Sequence, residues 1–399
     1  MPPPLTIALV GTSWASSSSG GATFEDEVLY AVLTTPSAYR FVVYPASKRI
    51  ASFVKEQNLA ERITLVKEVR EPKLPRRALR RAVRLVRRRA RPLPFAALTD
   101  ALRKAGAQCA WLLGGSLVPL DMPYVATMWD VQHRVQPWFP EVSAKGEWRE
   151  RERLCAELVG RASIVTVGTQ TGARELRDAY GDPAGAMHVI PLPTPSFAVA
   201  AGMRPRPARP ADLPNRYLLY PAQFWAHKNH VTAVRVLAAL NAIDDPPELI
   251  CVGDDKGALQ HVQNEAQALG VAHRLHLPGF VERQRLIALY QHAEALLYPS
   301  LFGPDNLPPL EAMALGCPVI AAGVRGAEEQ IGDAGILVPP FDVYAYANAV
   351  RTLRESPDVR EELVGRGRER ARAWTTPQYV QAVLELIQSR IAPARALWS

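Results

Sequence analysis

The sequence predicts an α/β protein built from two Rossmann-like domains, each a parallel sheet covered by helices. Three observations predict it. The chain has 399 residues, more than one hydrophobic core of about 250–300 residues holds. Apolar strands alternate with helical stretches through both halves, the pattern of a parallel sheet. A Pro-, Ala- and Arg-rich stretch without period, within residues 191–216, separates the two series.

The elements follow in order. Residues 6–10, 41–44, 63–66, 108–112, 124–128, 164–167 and 188–190 read as strands of the first series. Residues 217–222, 248–252, 274–277, 295–298, 318–321 and 336–338 read as strands of the second. Both runs are rich in Val, Ile, Leu and Tyr, as strands buried on both faces require. The tail from residue 343 to about 391 is helical. The boundaries predicted are a first domain at 1–196, a linker at 197–216, a second domain at 217–375 and a terminal helix at 376–399.

Hydrophobic residues make up 48% and charged residues 22% of the chain, the balance of a soluble globular protein. No apolar run approaches the roughly 18 residues of a membrane span. The first ten residues lack a basic region and run into a Gly/Ser loop, so they read as a strand, not a signal peptide. Cys109, Cys155, Cys251 and Cys317 are widely spaced in apolar elements. They read as buried thiols of a reducing compartment, with no metal spacing. The expected location is cytoplasmic.

Net charge is +8, and the excess is concentrated. Arg76, Arg77, Arg80, Arg81, Arg84, Arg87, Arg88, Arg89 and Arg91 crowd one segment, with Leu79, Val83, Val86 and Ala90 at helical spacing. This is a basic amphipathic helix. It fits an anionic membrane surface contacted through Arg80, Arg84, Arg87 and Arg88, which would make the protein peripheral at the inner face. A solvated helix face is the competing reading. Nucleic acid is the weakest one, because no aromatics interleave and no nucleic-acid motif accompanies the arginines.

The stretch 298–320, Tyr-Pro-Ser-Leu-Phe-Gly-Pro-Asp-Asn-Leu-Pro-Pro-Leu-Glu-Ala-Met-Ala-Leu-Gly-Cys-Pro-Val-Ile, carries the chemistry. It reads as a strand end, a tight loop, a short helix and a second strand. Asn306 is a good N-cap, Pro308 and Pro309 sit in the first turn, and Gly316 ends the helix. The positive helix end then faces the crevice above the strand carboxyl ends, where α/β sheets bind anions. Glu311, one turn in, is placed to accept hydrogen bonds from a diol such as ribose.

This segment resembles the donor-sugar motif of the retaining family-4 glycosyltransferases of GT-B fold (glycosyl transferases group 1). There it commonly runs Glu-Gly-Phe-Gly-Leu-Pro-x-Leu-Glu-Ala-Met-Ala-x-Gly-x-Pro-Val. Glu311 matches the second Glu, which in the family holds the ribose. The first Glu, which holds the donor sugar, falls on Gly303. Asp305 or Asn306 is its candidate substitute, and Leu307 opens the helix beside them. Residues 220–230 resemble the family's Gly-Arg-x5-Lys loop that clasps the donor diphosphate. Lys228 matches the Lys, while Gln223 stands where the Arg stands. Residues 277–281 resemble the loop framing the nucleotide base, with Phe280 to stack and Val281 beside the base edge; a plain turn with Phe280 in the core is the other reading.

In the first half, Gly20 and Gly21 match the family's Gly-Gly turn near donor phosphate and acceptor. Residues 128–134, Met-Trp-Asp-Val-Gln-His-Arg, resemble its His-Asp loop facing the donor sugar. Trp129 stands at the His position, so His133 is the candidate replacement, with Asp130 to orient it or bind acceptor. Trp138 and Phe139 follow as an acceptor platform or a pin for the loop.

The resemblance implies two domains facing a central cleft, nucleotide-sugar on the second and acceptor on the first. It implies sugar transfer with retention, from a nucleotide-sugar to a glycan or lipid-linked acceptor in cell-surface polysaccharide assembly. The sugar would be mannose or a similar hexose or deoxyhexose, carried on GDP, UDP or dTDP. No cofactor and no metal are expected, since no Asp-x-Asp site or ligand cluster stands out in the sequence, Asp254-Asp255 included. Lys228, Gln223 and the helix start would stabilise the leaving diphosphate instead. Two rivals stay open: a non-catalytic GT-B-like protein binding sugar nucleotide or lipid, and a sugar-nucleotide epimerase or hydrolase.

Overall fold

A computed structural model describes residues 4–11, 20–45, 47–69, 95–115 and 117–393. The first sheet comprises β1 (Thr6–Val10), β2 (Arg40–Tyr44), β3 (Ile63–Leu65), β4 (Cys109–Leu112), β5 (Tyr124–Thr127), β6 (Ile164–Val167) and β7 (Ala186–Val189). The second comprises β8 (Tyr217–Pro221), β9 (Glu248–Val252), β10 (Leu275–Gly279), β11 (Ala295–Tyr298), β12 (Val319–Ala322) and β13 (Ile336–Val338). Each corresponds to a strand read from the sequence, displaced at the ends by a residue or two.

The strand orders are β3-β2-β1-β4-β5-β6-β7 and β10-β9-β8-β11-β12-β13, with every described pairing parallel. The direction of winding reverses between β1 and β4 in one sheet and between β8 and β11 in the other. Those are the switch points where an open α/β sheet leaves a crevice for ligand.

The cores follow from the strand period. Ile7 and Leu9 join the apolar cluster on one face of the first sheet, Ala8 and Val10 the cluster on the other. The second sheet has its own core around Tyr217, Leu218, Leu219 and Tyr220, all fully buried. All four cysteines are buried, as read from the sequence, and burial pushes the Cys109 thiol up to about 12.

The terminal helix, Thr376–Leu386, starts with a capping box between Thr375 and Gln378. Its Tyr379, Val380, Val383 and Leu384 enter the core formed by Ile7 and Leu9, so the chain crosses back onto the first sheet. The Trp374 indole N–H donates to the Pro191 carbonyl at 2.8 Å and secures that crossing.

The segment 197–216, read as a linker, is partly structured. Ser196–Gly202 is a helix whose Ala198 is buried in the second core. A Cβ on Gly202 would stand 1.9 Å from the Ala314 carbonyl oxygen, so the helix docks closely there. Small residues (Ala198, Ala200, Ala201, Gly202) permit that approach and also hid the helix, because they carry no apolar period. The arginine segment with Arg80, Arg84, Arg87 and Arg88 lies outside the described residues. Among the described residues, no helix is long and apolar enough to cross a membrane.

Candidate functional site

A cavity of about 960 Å³ opens between the two sheets, lined by residues that follow strand carboxyl ends on both sides. The first domain contributes Gly21, Trp129, Asp130, Gln132, Glu141 and Arg151. The second contributes Gln223, His227, Lys228, Phe280, Val281, Arg283, Gly303, Asp305, Asn306, Leu307 and Glu311. The helix Gly20–Thr34 starts at Gly20, next to the lining Gly21.

Glu311 lies on the helix Leu307–Leu315, which is buried along nearly its whole length. The Tyr290 hydroxyl donates to its Oε2 at 2.7 Å. Burial pushes the Glu311 carboxyl up to about 7, against the opposing pull of the Tyr290 hydrogen bond and the Arg283 charge.

Asn306 occupies the N-cap position, but its side chain does not cap the helix. Pro308 and Pro309 carry no N–H, and the Asn306 amide N–H donates to Gln330 at 2.9 Å, so the first turn needs little capping. The Asn306 side chain is used elsewhere. Its Oδ1 accepts from the Tyr298 hydroxyl at 2.8 Å and from Lys228 Nζ at 3.3 Å, and its Nδ2 donates to the Gly303 carbonyl at 3.0 Å. Lys228 Nζ also donates to the Tyr298 hydroxyl at 3.1 Å and to Ser300 at 3.4 Å. These partners are neutral, so the ammonium is held in place with its charge unspent.

Gln223 Oε1 accepts from the Trp225 indole at 3.1 Å, which leaves its NH₂ as a donor at the cavity wall. Gly303 has φ +123°, and a Cβ there would meet the Asn306 amide at 2.4 Å. The backbone therefore excludes a side chain where the resembling motif has its first Glu. Asp305 reaches across instead. A Cβ on Gly168 of the first domain would overlap its Oδ2, so the carboxylate fills the space that glycine leaves. Burial and the nearby Asp130 charge push Asp305 up to about 7. Phe280 is 59% exposed at the cavity rim, which removes the reading of it as a core residue.

Asp130 accepts from the Gln132 amide at 2.8 Å and from Arg151 Nη2 at 2.9 Å. His133 is not at the cleft. Its imidazole is fully buried, with Nε2 bonded to the Tyr180 hydroxyl at 2.9 Å and to Glu152 at 3.2 Å. The short helix Gln132–Val135 turns residue 133 away from the cavity that Asp130 and Gln132 line. Burial first, and the Arg151 charge second, hold the His133 imidazole below its ordinary value. The expectation that His133 replaces the missing His is therefore corrected. Trp129 fills that position, its ring against Gly115, which has no Cβ to block it.

The histidine that does line the cavity is His227, adjacent to Lys228 in sequence. Its backbone N–H donates to Glu141 Oε1 at 3.0 Å, and its ring Nδ1 bonds to the same oxygen. Arg283 lies over the Phe197 ring at 5.0 Å and brings a second cation to the second-domain wall. Sequence reading passed over both. For His227 a signal existed, its place beside Lys228; for Arg283 there was none beyond its position just past Phe280 and Val281.

The domains are clasped around this cavity. Glu329 of the second accepts from the amides of Gln170 and Thr171, at 2.6 and 2.8 Å, at the start of the first-domain helix Gln170–Tyr180. A carboxylate at a helix N-terminus is stabilised by the dipole and the unpaired amides. Gln136 adds a bond to the Leu301 carbonyl at 3.0 Å.

With this geometry in place, similarity to known proteins is informative. Residues 205–370 match the family Glycosyl transferases group 1. The chain is 30% identical over 259 residues to a D-inositol 3-phosphate glycosyltransferase of Salinispora tropica, covering 60% of this chain and 53% of that one. The chain thus spans about half the length of that relative. Its fold superposes on a sucrose-phosphate synthase of Thermosynechococcus elongatus with TM-score 0.70 and 20% identity, covering 98% of this chain and 100% of that one. It superposes on HepE of Anabaena, solved in complex with UDP, with TM-score 0.66 and 17% identity over 96% of this chain and 100% of that one. Two Rossmann-like parallel-sheet domains facing a cleft are the GT-B fold, as the sequence predicts.

Proposed function

We propose that the chain is a retaining, metal-independent family-4 glycosyltransferase. It moves mannose or a similar hexose or deoxyhexose from a nucleotide-sugar to a glycan or lipid-linked acceptor in cell-surface polysaccharide assembly. The observation that carries this reading is Glu311 and Lys228 lining one cavity, a buried carboxylate and a cation that has no anionic partner among the described residues. A nucleoside diphosphate presents the complementary pair, a ribose diol and an anion. In this reading Glu311 takes the ribose, and Lys228, Gln223 and Arg283 take the diphosphate. Phe280 and Val281 frame the base, and Asp305 and Asn306 face the sugar. Gly20, Gly21 and Asp130 lie on the acceptor side.

A thermal-shift screen of GDP, UDP and dTDP and their sugars tests it. Ligand at 100 times its Kd adds about 2.7 kcal/mol of stability. Turnover of the stabilising donor is then followed with EDTA present, since the reading requires no metal. Stabilisation by none of these compounds would end it. Binding without turnover, with or without acceptor, would favour a non-catalytic nucleotide-sugar binder. The specific observation on that side is Gly303, whose backbone admits no carboxylate. Donor breakdown without acceptor would favour a hydrolase.

A further inference from the structure

We propose that His227 touches the sugar substrate: its Nε2 accepts a hydrogen bond from a substrate hydroxyl, and Glu141 of the facing domain is the positioning residue that presents it. This rests on the glycosyl-transfer reading and adds a residue to it.

Among the eight histidines, His227 is the one that lines the cavity. Its neighbours in the fold have other duties. His230 is stacked between Tyr220 and Phe224, ring centroids 4.4 and 4.2 Å away, and its Nε2 bonds to the Ala222 carbonyl. His133 is buried behind the wall.

The geometry sets the proton. Glu141 can only accept, so the bond at His227 Nδ1 places a hydrogen there and leaves Nε2 with its lone pair. Burial holds the imidazole below its ordinary value, which keeps it neutral near pH 7. Nε2 has no protein partner among the described residues, so it is an acceptor at the edge of a cavity.

Glu141 supplies the second observation. Its side chain is 93% buried, its Oε1 accepts from His227 twice, and among the described residues its Oε2 is buried without a side-chain partner at the cavity wall. An orphaned carboxylate oxygen is costly unless something completes it. A sugar hydroxyl donating there would do so while a second hydroxyl donates to Nε2.

The pair also spans the cleft. Glu141 belongs to the turn Pro140–Ser143 after β5, and His227 to the turn Ala226–Lys228 after β8. The bond exists only while the domains are together, so closure orients the imidazole. Because Lys228 follows directly, the same turn would hold phosphate and hydroxyl side by side.

His227→Asn is the informative variant, since asparagine keeps a donor near Nδ1 for Glu141 and removes Nε2. Wild type, His227→Asn, Glu141→Gln and the double variant are compared in turnover of UDP-glucose, GDP-mannose and dTDP-rhamnose with methyl glycosides as acceptors. UDP and GDP affinities are measured by calorimetry alongside. Loss of Nε2 should lower kcat about 10- to 100-fold while nucleotide Kd stays within about twofold. Glu141→Gln should lower kcat in the same direction with nucleotide Kd unchanged, and the double variant should be no worse than His227→Asn. Wild-type kcat in His227→Asn, additive losses in the double variant, or nucleotide affinity falling in parallel would overturn the proposal. A wild type inert toward all donors is a different failure, that of the glycosyl-transfer reading, and the proposal falls with it.

Discussion

The Tyr290 hydroxyl donates 2.7 Å to Oε2 of Glu311, so one oxygen of this cavity-lining carboxylate is committed to the protein. Tyr290 is fully buried on the helix Arg283–His292, which packs against the helix carrying Glu311. The carboxylate is thus held by a rigid neighbour rather than by a mobile side chain. Preorganisation of this kind lowers the cost of binding.

Glu311→Gln should weaken nucleotide-sugar binding by about 1.5–3 kcal/mol, the worth of a charged hydrogen bond. That is roughly a 10- to 150-fold rise in Kd. Glutamine still accepts from Tyr290, and a buried carboxyl is removed, so the melting temperature should not fall. Calorimetric titration beside a thermal melt checks both. An unchanged Kd for every donor would remove Glu311 from the ribose site.

The raised carboxyl groups predict a pH dependence. Burial lifts Glu311 and Asp305 to about 7, above their unfolded values near 4. Between those limits the native state binds more protons than the unfolded state, so their contribution to stability is lost as pH rises from about 4 through 7. Donor hydroxyls favour the ionised form of Glu311, so nucleotide affinity should rise over the same window. In Glu311→Gln the rise should flatten. An equal slope in wild type and variant would assign it to other groups.

The strands were legible in the sequence because each is a short, largely apolar run, and most are buried on both faces; the least buried, β7 and β10, are the edge strands. That Glu311 and Lys228 reach the cavity wall was legible because each sits in a long motif that follows a strand. His133 and His227 mark the limit. Both are loop histidines beside a charged residue, and which one faces the cleft depends on the turn geometry of Gln132–Val135 and Ala226–Lys228. Asn306 is at the N-cap position read from the sequence, but its side chain is used elsewhere. Its side chain has no capping duty because the two residues it would cap, Pro308 and Pro309, carry no N–H.

Lys228→Ala should lose affinity for nucleoside diphosphates but not for nucleosides. The ammonium is anchored by Tyr298, Ser300 and Asn306 and has charge to give only to an anion. The loss should be about 1.5–3 kcal/mol. Gln223→Arg should hold or raise diphosphate affinity, since it adds a charge at the same wall. Equal losses for uridine and UDP, or guanosine and GDP, on removing Lys228 would place it away from the phosphates.

His133→Ala should act on stability. The ring is buried between Glu152 and Tyr180, and its loss leaves a cavity and two polar groups short of a partner. A cost of about 2–4 kcal/mol is expected from those two effects together. The folded fraction should keep its nucleotide affinity and its kcat. Denaturant unfolding with turnover normalised to folded protein separates the cases; an undiminished midpoint with reduced kcat would return His133 to the chemistry.

The arginine segment yields the last prediction. Arg80, Arg84, Arg87 and Arg88 lie within a run of nine arginines between residues 76 and 91. We propose that this run binds an anionic membrane surface, which would bring the enzyme to a lipid-linked acceptor. The full chain should then bind anionic vesicles and ignore neutral ones. Each basic residue near such a surface contributes on the order of 1 kcal/mol, and the attraction is screened over about 8–10 Å at physiological salt. Binding should therefore fall steeply between low and physiological ionic strength. Replacing the four arginines with Gln should abolish it, and Gln keeps helix propensity close to that of Arg. None of the four belongs to the proposed donor site, so turnover with a short water-soluble acceptor should persist. Vesicle sedimentation decides: equal binding to neutral and anionic vesicles, or binding to neither, would leave a solvated helix face as the better account.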